Sequence, residues 1–97
     1  MAEKIEWSER ARKELLEILE YWSNRNKSKT YSIKLNELVL DGVELTAQMP
    51  ESGIPTKFSK VRIKVIRDYF IYYRIHTSSI EVLTIWDTRR NPKKFKL

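Results

Sequence analysis

The sequence predicts an α+β fold in which a helical hairpin packs on a small, mainly antiparallel sheet. Apolar side chains recur at the helical period of 3.6 residues over 8–49, whereas residues 60–86 form short β-rich runs, the first with alternating polarity. Between these halves, the segment "PESGIP" (50–55) contains two prolines and a glycine, which end helices. The predicted order is therefore β-α-α-β-β-β, and a chain of 97 residues is expected to form one domain over 1–97.

The first predicted elements are a short strand and a charged helix. The stretch "KIEW" (4–7) is extended, and Ser8 follows it as a natural N-cap. The polar side chains of "SNRN" (23–26) compete with the helical backbone ladder, so the helix is expected to end there. Trp7 and Trp22 are interpreted as packing residues. The apolar stripe of this helix consists of Ala11, Leu15, Ile18, Leu19 and Trp22.

A second helix is predicted to pack antiparallel to the first, because the connection is a short polar turn. Ser28 is the expected cap of this helix. Gly42 interrupts its apolar stripe and is expected to weaken it by about 1 kcal/mol. The stripe consists of Tyr31, Leu35, Leu38, Val39, Leu45 and Met49.

Three strands are predicted in the second half of the chain. The runs "YFIYYRI" (69–75) and "IEVLTIW" (80–86) are β-rich and are joined by the turn "HTSS". The preceding run "KVRIKVI" (60–66) alternates strictly. It predicts an apolar face of Val61, Ile63 and Val65, and an opposite, solvent-facing basic face of Lys60, Arg62 and Lys64.

Composition excludes several function classes. No cysteine is present, so a disulfide scaffold, a thiolate metal site and a cysteine nucleophile are excluded, and a single histidine excludes a multi-histidine site. The sequence lacks a glycine-rich phosphate loop, G-x-S-x-G and E-x-x-H, so no metal, cofactor or small-molecule substrate is expected. The start "MAEKIEWSER" is charged and no stretch approaches roughly 20 apolar residues, so we expect a cytoplasmic protein without membrane contact.

The charge of the chain is asymmetric. Residues 1–56 contain eight basic and ten acidic side chains, a net charge of −2. Residues 57–97 contain eleven basic and three acidic side chains, a net charge of +8. This asymmetry favours an anionic partner for the second half, either nucleic acid or an acidic protein segment.

Hairpin geometry predicts where the polar groups of this half lie. Because 69–75 and 80–86 are joined at 76–79, the start of one strand lies beside the end of the other. Arg67 and Asp68 are therefore expected at the same end of the sheet as the segment 87–90, with Asp87 orienting one guanidinium. His76 is expected at the opposite end, about 20 Å away. Pro92 is expected to end the strand and to leave "KKFKL" as a mobile basic tail.

Three motifs resemble a known family. They are "YWSNRN" at the end of the first helix, "VRIKVIRDYFIYYRI" in the strand pair and "VLTIWDTRRNP" in the last strand. With the element order and the length, they resemble the RelE/ParE superfamily of bacterial toxins from type II toxin–antitoxin systems, over nearly the whole chain. The resemblance implies a growth inhibitor that a co-expressed cognate antitoxin neutralises. The net charge of +8 suggests that an acidic, partly disordered antitoxin segment wraps the domain.

The superfamily contains two activities. RelE-like members cut mRNA in the ribosome with basic residues on the sheet and an aromatic residue near the C-terminus, whereas ParE-like members inhibit DNA gyrase. By position, Arg62 and Lys64 match the basic strand face of the ribonucleases, and Arg89 or Arg90 stands near their arginine after the last strand. However, Phe70 stands where they have an arginine, and their terminal tyrosine is absent.

These departures favour gyrase inhibition, since phenylalanine cannot transfer a proton. A ribosome-dependent mRNA endoribonuclease is the alternative, with Lys64 and Glu81 or Asp87 as a conceivable proton-transfer pair; a non-toxic basic RNA-binding module is the third possibility. Whether the chain is an enzyme stays open. The candidate catalytic residues are Lys64, Arg67, Arg89 and Arg90. The candidate binding residues are Arg62, Lys64, Arg67, Trp86, Asp87, Arg89, Arg90, Lys93, Lys94 and Phe95.

Overall fold

A computed structural model describes residues 1–97. The elements are β1 (Lys4–Trp7), α1 (Glu9–Asn26), α2 (Thr30–Gln48), β2 (Ile54–Pro55), β3 (Val61–Ile66), β4 (Tyr69–Ile75) and β5 (Ser79–Asp87), with 3₁₀ turns at Pro50–Ser52 and Pro92–Lys94. The sheet order is β1-β5-β4-β3-β2. The β1–β5 pair is parallel and the other pairs are antiparallel. The α+β class and the order β-α-α-β-β-β are confirmed, and β2 is an additional two-residue strand.

The two helix starts differ in their capping. At α1 the Ser8 hydroxyl accepts a hydrogen bond from the Ala11 N–H at 3.0 Å, which confirms the predicted N-cap. At α2 the prediction is wrong by one residue, because Lys29 occupies the N-cap position without a side-chain bond. The Ser28 hydroxyl instead accepts from the N–H of Thr30, the first helical residue, at 3.2 Å.

The helices form the predicted antiparallel hairpin. Lys27 adopts a left-handed conformation with φ of 50°, which ends α1 and turns the chain. The hydroxyls of Ser23 and Ser32 lie 2.7 Å apart, and the Ser32 hydroxyl donates to the Leu19 carbonyl at 2.8 Å. These bonds satisfy the polar groups where the helices approach each other.

The core lies between the helical hairpin and one face of the sheet. Trp7 and Trp22 pack against it from its margin, in agreement with their interpretation as packing residues. Its twelve buried residues are Ala11, Leu35, Val39, Val43, Ala47, Ile66, Tyr69, Ile71, Tyr73, Ile80, Val82 and Ile85.

The two faces of β3 are the reverse of those predicted. Lys64 pairs with Ile71 and Arg62 pairs with Tyr73, and directly paired residues project to the same face of a sheet. Since Ile71 and Tyr73 belong to the core, Arg62 and Lys64 face the helices, and Val65 is 46% exposed on the other side. Long basic side chains can cover apolar surface with their stems and keep the charge near water, so alternation alone does not identify the buried face.

Gly42 is a contact point between α2 and β3. A Cβ atom at this position would overlap with the end of the Ile66 side chain and would meet the Lys64 stem at 3.6 Å. Gly42, which is expected to weaken the helix locally, therefore also allows a close approach between α2 and β3. A larger residue would prevent this approach.

An irregularity in the β4–β5 pairing decides which face Trp86 occupies. Tyr72 pairs with Thr84 but the next residue, Tyr73, pairs with Val82, so Leu83 is an extra residue in β5. Strict alternation would place Trp86 on the face of Val82. The bulge instead places Trp86 opposite Phe70, on the face without helices.

Candidate binding site at the end of the sheet

The site lies where β4 begins and β5 ends. The two-residue turn Arg67–Asp68 joins β3 to β4, and Tyr69 at the start of β4 pairs with Asp87 at the end of β5. Arg67 has a φ of 55°, as such tight turns require. The Asp68 carbonyl accepts hydrogen bonds from the Thr88 N–H at 2.9 Å and from its hydroxyl at 2.8 Å. These bonds fix the chain as it leaves the sheet.

Asp87 holds Arg89 in a two-point contact. The Nε and Nη2 atoms of Arg89 donate to the two carboxylate oxygens at 2.9 and 2.8 Å, and the Arg89 backbone N–H donates to Oδ1 at 2.9 Å. The hydrogen bond from Arg89 is the main reason why the pKa of Asp87 lies below its usual value. In turn, the carboxylate raises the pKa of Arg89, whose charge is therefore permanent. One guanidinium is thus oriented by Asp87.

Two aromatic residues complete the surroundings of Arg89. The Trp22 indole N–H donates to the Tyr69 hydroxyl at 2.8 Å, and the Arg89 guanidinium lies over the Trp22 ring, 5.6 Å from its centroid. Burial raises the pKa of Tyr69, so its hydroxyl stays protonated at neutral pH. Trp22 therefore links the helical hairpin to the site, a role that its apolar spacing did not indicate.

A cleft of about 420 Å³ opens beside Arg89, between α1 and β5. On its α1 side, Glu14 accepts hydrogen bonds from the Thr84 hydroxyl at 2.6 Å and the Ile85 N–H at 3.0 Å. The Glu14 carboxylate thereby accepts hydrogen bonds from groups of β5 that lie beyond the end of β1, and no local pattern of residues indicates this contact. The cleft is lined by Glu14, Glu17, Ile18, Tyr21, Tyr69, Ile85, Asp87, Arg89 and Arg90.

Arg90 contacts the other face of the sheet. Its guanidinium lies 4.6 Å from the centroid of the Trp86 ring, and Trp86 is only 6% exposed. Arg89 and Arg90 are adjacent in sequence but stack on different tryptophans, Arg89 on Trp22 and Arg90 on Trp86. Both side chains line the same cleft, but their guanidinium groups do not come together as a single binding group.

The expected mobile tail has a defined place in the structure. Pro92–Lys94 forms a 3₁₀ turn that the Asn91 side chain caps by accepting from the Lys93 N–H at 3.0 Å. The turn directs Phe95 back onto the sheet, where its ring stacks on Tyr72 with centroids 4.5 Å apart. Lys93 and Lys94 are exposed. The candidate binding residue Phe95 is therefore engaged in an intramolecular contact.

Three further basic candidates lie outside the cleft beside Arg89. Arg62 donates to the Gly53 carbonyl at 2.9 Å and so helps to hold the segment before β3. Lys64 and Arg67 line a groove of about 360 Å³ between α2 and β3. Arg67 lies in the turn at the same end of the sheet as Arg89 and Arg90, as expected, but it lines this groove whereas they line the cleft beside Tyr69.

His76 and Glu81 occupy the opposite end of the sheet. His76 Nε2 lies 3.0 Å from Glu81 Oε1, and six register steps separate the Ile75–Ile80 pair from the Tyr69–Asp87 pair. At roughly 3.3 Å per residue, this distance is about 20 Å, as the hairpin geometry predicted. Glu81 pairs with His76, and Asp87 pairs with Arg89, so neither carboxylate forms an ion pair with Lys64.

The arginines of the site are chemically suited to contact with an anion. Guanidinium groups stay protonated in proteins, and their planar donors fit a carboxylate or a phosphate. No three side chains of the metal-binding types gather into a group that could hold an ion. No helix combines the length and the hydropathy needed to span a bilayer.

A solved structure shares the fold of this chain. The chain packs a helical hairpin on a five-stranded, mostly antiparallel sheet in the order β-α-α-β-β-β. A solved structure described as the chromosomal ParDE toxin–antitoxin system from P. aeruginosa matches with a TM-score of 0.74. The match covers 84% of this chain and 91% of that chain at 17% sequence identity, so it shows a shared fold.

The family follows from the sequence of the chain. A family model described as "ParE toxin of type II toxin-antitoxin system, parDE" matches residues 5–92. The chain therefore belongs to the ParE toxin family of type II toxin–antitoxin systems. A comparison with curated protein sequences gives no match. The ParDE assignment implies a cognate antitoxin as partner and favours the ParE branch over the RelE branch.

Proposed function

We propose that this chain inhibits bacterial growth by binding DNA gyrase, and that Arg89 provides the principal contact. The observation that carries the proposal is the fixed guanidinium of Arg89, held by two carboxylate oxygens of Asp87 and stacked over Trp22. A cation fixed before binding loses little side-chain entropy when it meets an anionic group of a partner. Arg90 and the cleft beside Arg89 extend the same contact surface.

The positions that match the ribonucleases support this choice. Phe70, in place of their arginine, is part of an aromatic cluster, and Phe95 stacks on Tyr72. Arg62 donates to a backbone carbonyl of its own chain. Cleavage of RNA through the 2′-hydroxyl needs groups that accept and donate protons in addition to positive charge. The end-of-sheet cations supply only the charge.

The partner that neutralises the toxin is proposed to be an acidic, partly disordered segment of the antitoxin. The basic second half of the chain, with eleven basic and three acidic side chains, is electrostatically complementary to it. Toxin and antitoxin would meet in the cytoplasm, where gyrase is found. We treat residues 1–97 as one toxin domain in this proposal.

The test separates gyrase inhibition from mRNA cleavage. We expect the purified protein to block supercoiling by gyrase in vitro, and transcripts from induced cells to show no codon-phased cuts in primer extension. The variant Arg89→Ala should lose the block, whereas His76→Ala should retain it. Codon-phased cuts with unimpaired supercoiling would instead establish the ribonuclease.

A growth assay tests the toxin–antitoxin assignment itself. Expression of the chain alone should stop growth, and co-expression with an acidic antitoxin from the adjacent reading frame should restore it. A chain that is folded yet harmless, with no such neighbouring frame, would contradict both parts of the proposal.

A further inference from the structure

The face of the sheet without helices carries a row of aromatic rings. Phe70 and Trp86 are paired across β4 and β5, and Tyr72 lies two residues further along β4. The Phe70 and Tyr72 rings meet edge to face, with centroids 6.5 Å apart. None of the three belongs to the core under the helical hairpin. We call Phe70, Tyr72 and Trp86 the aromatic platform.

The C-terminal segment covers this platform with one ring. Phe95 stacks on Tyr72 at 4.5 Å with an interplanar angle of 24°, and it meets the Trp86 ring edge to face at 5.2 Å. Burial raises the pKa of Tyr72. Phe95 therefore occupies the position of a planar ligand stacked on the platform.

Few bonds hold the covering segment, residues 91–97, in place. Its backbone bonds join Lys94 to Asn91 at 3.0 Å and Phe95 to Pro92 at 3.1 Å, and both lie within the 3₁₀ turn. The only bond to the rest of the chain is the one that the Lys96 carbonyl accepts from Arg10. Every residue of the segment except Phe95 is exposed. Segments with so few buried contacts open locally at a small free-energy cost.

The covering segment and its surroundings are basic. The segment contains Lys93, Lys94 and Lys96, it approaches Arg10, and it contacts the platform near Arg90. A ligand with planar rings on a negatively charged backbone would keep the stacking contacts and would also be attracted to these cations.

We propose that the aromatic platform binds single-stranded nucleic acid by stacking its bases, and that Phe95 occupies the platform in the closed form. Aromatic rings on a sheet surface stack on bases of any sequence, and arginines at the rim contact the phosphates. Arg90 is already at this rim, 4.6 Å from the Trp86 ring. The platform lies on the face opposite to the Trp22–Tyr69 surroundings of Arg89, so the two proposed contact surfaces share only Arg90.

The test measures binding of the full chain to a fluorescein-labelled oligo-dT of roughly 12 nucleotides by fluorescence anisotropy at low salt. Phe95→Ala should bind about tenfold more tightly than the parent chain, since removing the ring frees the platform. Adding Tyr72→Leu to this variant should weaken binding by about tenfold or more. Phe70→Leu serves as the second platform variant if Tyr72→Leu melts early. Leu16→Ala, which alters an exposed apolar residue on α1 outside both proposed surfaces, is the control and should change nothing.

Two further ligands identify the chemical group that the platform recognises. An abasic oligonucleotide of the same length presents phosphates without rings, and it should bind more weakly than oligo-dT. Equal binding of the two strands, or unchanged affinity of a folded Phe95→Ala variant, would overturn the proposal. If an acidic peptide with one phenylalanine binds the Phe95→Ala variant and oligo-dT does not, the platform is a protein-docking surface instead. None of these measurements depends on gyrase or on growth, so this proposal and the proposed function can fail independently.

Discussion

At the scale of single residues, the candidate site depends on how Asp87 constrains Arg89. The carboxylate contacts Nε and Nη2 at 2.9 and 2.8 Å, and Trp22 lies against the guanidinium from the α1 side. Arg89 is nevertheless half exposed, with 49% of its side chain accessible. Its outer donors are therefore free to meet an anionic group of a partner.

Arg89→Ala should abolish toxicity without unfolding the protein. Removing a charged hydrogen-bonding contact costs about 2 kcal/mol of binding free energy, or about 30-fold in affinity for the target. Exposed substitutions change stability by only about 0.5 kcal/mol, so the melting temperature should hardly move. Arg12→Ala, on the exposed surface of α1, is the matched control and should stay toxic. A folded and fully toxic Arg89→Ala variant would assign the contact to another part of the surface.

Asp87→Asn should reduce the acid sensitivity of the fold. The pKa of Asp87 is lowered in the folded protein, so this group contributes stability above its unfolded value of 3.8 and loses it as pH falls through the lower folded value. In the parent chain, stability should therefore decline as pH falls below about 4, and part of this decline should be absent in Asp87→Asn. Urea unfolding at pH 3 to 6 measures both curves. Parallel curves would show that the pair does not contribute to stability.

At the scale of elements, α2 and β3 meet where Gly42 lies against Ile66. Gly42→Ala should destabilise the protein by about 1 kcal/mol, because overpacking costs 1–3 kcal/mol and exceeds the gain in helix propensity. Ile66→Val removes the methyl group that the new Cβ would meet. In the Gly42→Ala background, Ile66→Val should leave the free energy of unfolding unchanged or raise it. In the parent chain, Ile66→Val alone should lower that free energy by about 1 kcal/mol. Additive costs in urea unfolding would show that the two residues do not interact.

The segment between α2 and β3 is anchored by one buried hydroxyl. Tyr73, which is 1% exposed, donates to the Pro50 carbonyl at 2.6 Å and accepts from the Gly53 N–H at 3.1 Å. Tyr73→Phe leaves both backbone groups without this partner, so we expect a loss of about 1 to 3 kcal/mol in urea unfolding. Tyr21→Phe, at a position that is 52% exposed, is the matched control and should be neutral. A neutral Tyr73→Phe would mean that water replaces the hydroxyl.

At the scale of the whole molecule, the separation of charge between the two halves should control the rate of association with the antitoxin. Raising the salt concentration from 0.1 to 1 M shortens the Debye length from about 10 to about 3 Å, which screens exposed charges. The association rate should fall by about tenfold or more, whereas the dissociation rate should change less. Stopped-flow measurements test this, with Lys93→Gln/Lys94→Gln as a variant of reduced salt dependence. An association rate that is independent of salt would argue against electrostatic steering.

The sequence by itself determined the class and order of the elements. Three signals are local: the change from a 3.6-residue to a two-residue period, the breaks at 50–55 and the Ser8 cap. Local signals can be recognised without knowledge of the tertiary contacts. Hairpin connectivity also placed His76 at the opposite end of the sheet from Asp87, because a short turn leaves only one antiparallel arrangement.

Only the tertiary structure decided which side chains face each other. Alternation gives two faces to β3 but does not say which one the helices cover, so the placement of Arg62 and Lys64 was wrong. The extra residue Leu83 reverses the alternation within β5 and moves Trp86 to the face without helices. Phe95 stacks on Tyr72, across 23 residues of sequence, and meets the Trp86 ring that this reversal brings to the same face. Such long-range contacts arise from packing, and no local pattern of residues encodes them.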